Sequence, residues 1–251
     1  MNRSRKPAQA LPTLFAPAFY VLCGTSVLCV LLLVVRAYRL DFVSYGFLLW
    51  NLFLAWLPLI VSMAAIGLPK LLRGGSLFVG LFVLGIAWVL LYPNAPYLTT
   101  DLIHLIVDSS YGWHETLDSL VVWYDLVVFF LFSWCGLLLG YLSMFHFHSL
   151  IRVYAGSFAG WLFIVVVSFL GGFGIYLGRV IRLNSWDALF SPFRLLDGVR
   201  AGLGHNGAIF TALFGLLILI VYLSLSCLRF VRPGEHTREG LPSRYGNDSV
   251  H

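Results

Sequence analysis

The sequence predicts an all-α, polytopic membrane protein: six transmembrane helices, with a short amphipathic interfacial helix between helices three and four. Composition gives the first reason. Hydrophobic residues make up 60% of 251 residues and charged ones only 11%, where soluble domains carry about a quarter charged. The mean hydropathy of +0.89 is more apolar surface than a water-soluble fold can hide. Patterning gives the second reason. The apolar residues come in continuous runs near the roughly 20 residues that cross a hydrocarbon core as a helix. They do not alternate as the strands of a transmembrane β-barrel would.

Six runs have this character: Thr13–Val35, Phe42–Leu68, Ser76–Leu91, Ser119–Met144, Val153–Gly178 and Gly207–Leu228. The first follows MNRSRK and ends at Arg36 without a small-residue cleavage pattern, so it reads as a retained span and not a signal peptide. The second contains Asn51 and Pro58, and the proline predicts a kink. Residues 1–12 then form an N-terminal tail, 13–232 the six-helix domain, and 233–251 a polar C-terminal tail predicted to be disordered.

The net charge of +5 is modest and lies mostly in tails and loops, which points to membrane orientation and not to nucleic acid. Arg3, Arg5, Lys6, Lys70, Arg73, Arg152, Arg229 and Arg232 fall on one face. Arg36, Arg39, Arg179, Arg182, Arg194 and Arg200 fall on the other. The positive-inside rule places both termini in the cytoplasm and the two long connections, 92–118 and 179–206, outside. Cys23, Cys29, Cys135 and Cys227 all lie within apolar runs, which argues against a disulfide framework or a Cys-rich zinc site.

YPNAPYLTTDLIHLIVD, residues 92–108, interrupts the apolar pattern. Pro93 stops the third span, Asn94-Ala95-Pro96 reads as a turn, and Thr99 or Thr100 caps a new helix with Asp101 at its positive end. Projected at about 100° per residue, Asp101, His104 and Asp108 share a sector of about 60°, with Leu102, Ile103, Ile106 and Val107 opposite. That face suits a carboxylate-oriented histidine base, although any amphipathic helix with a wet face produces the same spacing. His114, Glu115 and Asp118 add acidity to the same connection.

A second polar stretch, GGFGIYLGRVIRLNSWD, spans residues 171–187. Its glycines suit close helix packing. Arg179 and Arg182, one turn apart, suit a phosphate, a carboxylate, or pairing with Asp101, Asp108 or Asp125. Asn184 and Asp187 flank Trp186, an interfacial residue type. Connection 92–118 holds four acids and no Lys or Arg, whereas 179–206 holds four arginines and two acids. The two should therefore attract. Asp125 is an acid within a span, where charge is costly without a partner, and Arg179 is its expected one. A single site also requires His104 and Arg179 to lie within about 15 Å. His146 and His148 point apart on a helix and lie at the opposite face, and His205 stands alone. Neither a phosphate-binding glycine loop nor a catalytic serine or zinc-protease motif is present; Asp101, His104 and Asp108 are oxygen and nitrogen ligand types for a metal, and the sequence names no cofactor.

PNAPYLTTDLIHL, followed by GRVIRLNSWD, resembles a bacterial multi-pass membrane family called domain of unknown function 1361. Asn94, Asp101, His104, Arg179, Arg182, Asn184, Trp186 and Asp187 match its signature positions. The resemblance implies a bacterial inner-membrane protein and supplies no reaction. Together the motifs suggest a polar cluster at the extracytoplasmic interface, comprising Asp101, His104, Asp108, Asp125, Arg179, Arg182, Asn184, Asp187 and Asn94. Such a cluster would bind or modify an anionic lipid or lipid-linked substrate, with His104 as acid-base group and Asp101 or Asp108 orienting it. A small-solute transporter and a non-enzymatic assembly or scaffold protein are the alternatives.

Overall fold

The computed structural model describes residues 7–40, 45–107, 120–183 and 192–228, and among them no strand occurs. The long helices are α1 (Pro7–Leu40), α2 (Phe47–Leu71), α3 (Gly75–Leu91), α6 (Leu120–Arg179) and α8 (His205–Leu228). Between α3 and α6 the chain forms α4 (Asn94–Tyr97), a 3-10 helix (Leu98–Ile103) and α5 (His104–Val107). The 11-residue α7 (Pro192–Gly202) precedes α8.

Among the described residues, five helical stretches are long and apolar enough to cross a membrane. The outward faces carry large apolar side chains such as Tyr20, Val27, Phe82, Phe158 and Leu213. Solvation by lipid and not by water accounts for both features. The chain is an integral membrane protein.

The 60 residues of α6 would reach about 90 Å if straight, three times the hydrocarbon thickness. They do not run straight, because Gly156 adopts φ 92° and ψ 172°, a conformation open to glycine and strained for other residues. The packing shows the reversal directly. Phe147 and Phe163 would be about 24 Å apart in a straight helix, yet both rings lie against Trp88, with centroids at 4.6 and 5.7 Å. α6 is thus a hairpin of two arms. Together they pack on α1, α2, the 94–103 segment and α8. At the α8 contact a Cβ on Gly172 would come within 2.6 Å of the Thr211 carbonyl oxygen, so the two backbones touch.

Two clusters fill the interior. One joins Cys29, Leu48, Ala55, Leu59, Leu98, Phe132 and Leu139, and the other joins Trp88, Tyr92, Met144, Ile164, Ile175, Ile218 and Tyr222.

The predicted runs map onto these helices with two differences. α1 begins at Pro7 and continues past Val35 to Leu40, which places Arg36 inside the helix. The predicted break after Met144 is absent: residues 145–152 remain helical until Gly156. Nothing in FHFHSLIR forbids a helix. Its polar residues only imitate a loop. The C-terminal tail, Asp108, His114, Glu115, Asp118, Asn184, Trp186 and Asp187 lie outside the described residues.

Candidate functional site

The segment after α3 does not turn away as a proline-bounded loop. Tyr92 and Pro93 keep right-handed helical dihedrals, and the Tyr97 amide donates to the Pro93 carbonyl at 3.0 Å. Pro93 and Pro96 remove amide donors, and the chain responds by tightening. Thr99 and Thr100 do not cap a helix start. Their hydroxyls donate back to the carbonyls of Pro96 and Tyr97, each at 2.7 Å, satisfying acceptors that the regular pattern leaves over.

Tightening to a 3-10 helix changes the angular register. Residues three apart now eclipse, so Asp101 and the following cap residue His104 point the same way. Their neighbours on α2 match, also one turn apart: Asn51 meets Asp101, and Phe47 meets the His104 ring with centroids 4.7 Å apart. The expected shared face of Asp101 and His104 is therefore present. It faces α2 and not water: Asp101 is fully buried, His104 half-buried, and Ile103 and Ile106 point outward.

Both oxygens of the Asp101 carboxylate are engaged. Asn51 Nδ2 donates to Oδ2 at 2.9 Å and Arg179 donates to Oδ1 at 3.1 Å. Arg179 also donates to the Thr100 carbonyl at 2.8 Å and to the Tyr97 hydroxyl at 3.2 Å, and its guanidinium lies over the Tyr97 ring. Tyr97 in turn rests against Gly178, where a side chain would leave only 3.3 Å. A guanidinium is thus clamped across the end of α6 by four groups. From Thr100 to His104 is four residues, about 8 Å of rise at most. His104 thus follows closely on the segment that Arg179 grips, with its ring against Phe47 of α2.

Arg182 lies beyond the clamp. It is exposed, with φ 63°, the left-handed conformation usually left to Gly or Asn. The Leu183 amide closes the turn onto the Leu177 carbonyl at 3.0 Å. The Arg182 side chain makes no hydrogen bond or ion pair among the described residues. Asn94 sits half-buried at the start of α4.

Asp125 corrects an expectation. Its partner is Arg36 and not Arg179: Nε and Nη2 of Arg36 donate to the two carboxylate oxygens at 2.5 and 2.7 Å. Arg36 also lies 4.1 Å from the Tyr45 ring centroid. The reason is helix length. Because α1 continues to Leu40, Arg36 extends from a helix side against the first arm of α6, while Arg179 is held by Asp101.

Asn51, Tyr97 and Arg36 were not foreseen as partners. Asn51 was visible only as a polar residue in a span, and Tyr97 and Arg36 gave no signal of their own. His146 and His148 point apart on a helix, as expected, toward different helices. Both are buried inside the bundle, hydrogen-bonded to Ser62 at 2.9 Å and to Tyr222 at 2.5 Å. An unbroken helical pattern through residues 145–155 was the signal available. Among the described residues, no group of three or more His, Cys, Asp or Glu side chains converges to hold a metal.

No curated protein and no solved structure matches the chain. A family model does, described as a protein of unknown function (DUF1361), over residues 50–221, more than half of the chain. The matched region includes Asn51, Tyr97, Asp101, His104, Arg179 and Arg182, the whole of the clamp described above, and the chain belongs to this family.

Proposed function

We propose that the end of the bundle carrying Asp101, His104, Arg179 and Arg182 binds the anionic group of a membrane-resident molecule, a lipid headgroup or a lipid-linked phosphate. In this reading the protein sits in a bacterial inner membrane and crosses it six times, counting the two arms of α6 separately. Both termini are cytoplasmic, and the Arg179 end is extracytoplasmic. The observation that carries the reading is the pairing of a clamped arginine with an exposed one. Arg179 is committed to Asp101, Thr100 and Tyr97, whereas Arg182 is held outward by a backbone conformation that costs about 1–3 kcal/mol. Asp101 serves to position Arg179, since both its oxygens are taken. His104 is the nearby group suited to move a proton if the bound molecule is also modified.

The test is the lipid that co-purifies with the full chain, measured by native mass spectrometry. Arg182→Ala is expected to lose the anionic species while keeping wild-type thermal stability. An unchanged lipid complement in Arg182→Ala would sink the reading.

The closed hydrogen bonding of the clamp favours a second reading, a non-enzymatic assembly or scaffold role in which Asp101 and Arg179 only staple two segments. The double swap Asp101→Arg with Arg179→Asp separates the two. Recovery of lipid binding or of a cellular phenotype by the double swap would favour the staple. The transporter alternative has less support, because along α2 the buried Leu52, Ala55 and Leu59 separate Asn51 at the clamp from Ser62, the partner of His146.

A further inference from the structure

α7 is built unlike the spans. PFRLLDGVRAG mixes apolar, charged and glycine residues, where the spans are apolar on all sides. Projected at about 100° per residue, Phe193, Leu196, Asp197 and Arg200 fall within about 100°, and Leu203, one residue past the helix, widens this to about 120°. Gly198 and Gly202 lie roughly opposite. The packing follows that division. A Cβ on Gly198 would lie 2.4 Å from the Leu183 side chain, and one on Gly202 would lie 2.9 Å from the Phe173 ring. The two glycines therefore seat α7 closely against the end of α6.

The face turned away from the bundle carries the large apolar side chains, with Asp197 and Arg200 among them. Phe193, Leu196 and Leu203 are 81%, 52% and 73% exposed. In water this arrangement is inverted, since a surface helix buries its large apolar side chains. Position resolves the inversion. α7 joins the end of α6 to the start of α8, two membrane-crossing stretches, so it lies at a membrane face, the one that carries Arg179 and Arg182. Arg200 stands among the outward apolar side chains, and its contact with Asp197 is a loose 3.7 Å between two exposed groups. Large apolar side chains beside a long cationic one suit the boundary between acyl chains and phosphates.

We propose that α7 is an in-plane anchor whose outward face is occupied by anionic phospholipid of the adjoining leaflet. Phe193, Leu196 and Leu203 enter the upper acyl region, and Arg200 exchanges Asp197 for lipid phosphate. Nothing in this assignment depends on a headgroup site at Arg182, and it goes beyond that reading by naming a second lipid contact. It also supplies a consequence: the helix holds the leaflet's phosphates level with the turn that presents Arg182.

The test uses the full chain reconstituted into vesicles. Cys227, which is exposed, is first replaced by serine; Cys29 and Cys135 are buried and Cys23 partly so, and the labelled parent serves as blank. Leu196→Cys, Leu203→Cys and, as a control, Asp197→Cys each receive a bimane fluorophore. Quenching is read from lipids carrying a nitroxide near the headgroup or at the chain terminus, and from aqueous iodide. The expected result is several-fold stronger quenching at 196 and 203 by the shallow lipid nitroxide than by the deep one or by iodide, with Asp197→Cys favouring iodide. Replacing neutral lipid by phosphatidylglycerol should raise the lipid quenching, and Arg200→Ala should abolish that increase. Dominant iodide quenching at 196 and 203 would overturn the proposal. Protection from both quenchers would overturn it as well, since protein and not lipid would then cover the face. Equal lipid quenching in neutral and phosphatidylglycerol vesicles would remove the anionic preference.

Discussion

The molecule holds two carboxylate–arginine pairs, and they are built differently. Arg36 and Asp125 are both buried and meet through two parallel hydrogen bonds between α1 and the first arm of α6, with Tyr45 against the guanidinium. Asp101 and Arg179 share one hydrogen bond, and each is held by further groups, Asn51 on one side and Tyr97 and the Thr100 carbonyl on the other. Arg179 also remains 21% exposed. The first pair is sealed from the surface. The second is spread over three elements and opens toward the surface. A sealed pair suits a fastening, because a buried pair is valuable chiefly in that neither half can be left alone. An open, shared pair suits a place where something else arrives.

The largest expected effect follows from sealing. Arg36→Leu removes the guanidinium that meets both oxygens of the buried Asp125 carboxylate and should destabilise the protein by about 3–5 kcal/mol in detergent melts. Adding Asp125→Leu should recover most of that loss, because two apolar side chains replace a pair that had to be desolvated. A double variant no more stable than Arg36→Leu would show that α1 is held by something other than this pair.

The contrast between the pairs also marks what the sequence could reveal. Apolar run lengths located α3 and α8 to within two residues, since lipid imposes those lengths directly. The attraction of the acidic connection for the arginines after Gly178 was legible as charge arithmetic, and Asp101 with Arg179 realises it. Arg36 with Asp125 was not legible, because the apolar run ends at Val35 and Arg36 then reads as a loop charge. The hairpin in α6 was hidden for a similar reason. His146, His148 and Arg152 look like a connection, yet two of them hydrogen-bond with Ser62 and Tyr222, residues 84 and 74 positions away. The 3-10 register at 98–103 rests on threonine hydroxyls returning to carbonyls, which a helical projection does not foresee. Local pattern carries the spans, while polar satisfaction across the bundle carries the rest.

An intermediate effect is expected at the open pair. Asp101→Leu removes a charged acceptor from both Arg179 and Asn51, worth about 1.5–3 kcal/mol. The loss should stay below that of Arg36→Leu because Arg179, partly exposed, can turn toward water. Asn51→Leu should cost less again, since Asp101 keeps its arginine. Melting midpoints of the three variants under one set of conditions give the order. If Asp101→Leu proved the most damaging, the clamp would be the principal fastening, and the distinction between a sealed and an open pair would fail.

The smallest effect is expected in the other half of the bundle, where histidines meet hydroxyls instead of arginines meeting carboxylates. Tyr222→Phe deletes the hydroxyl that bonds His148 Nδ1 but keeps the ring, which packs against Tyr141 and Trp161. Interhelical hydrogen bonds in membranes average about 0.6 kcal/mol, because an unpacked helix also finds partners. A loss of that size in the same melts would assign the His148–Tyr222 contact to packing. A loss above about 2 kcal/mol exceeds the usual range for such bonds. It would place a strongly coupled polar group on the side of the bundle opposite the clamp. Among the described residues, His148 Nε2 is buried without a hydrogen-bond partner and lies close to the Gly160 backbone, beneath the Arg152 stem. Large coupling at Tyr222 would therefore make this nitrogen the next group to probe. Gly160→Ala, which pushes a methyl group against it, should then lower stability more than Tyr222→Phe does.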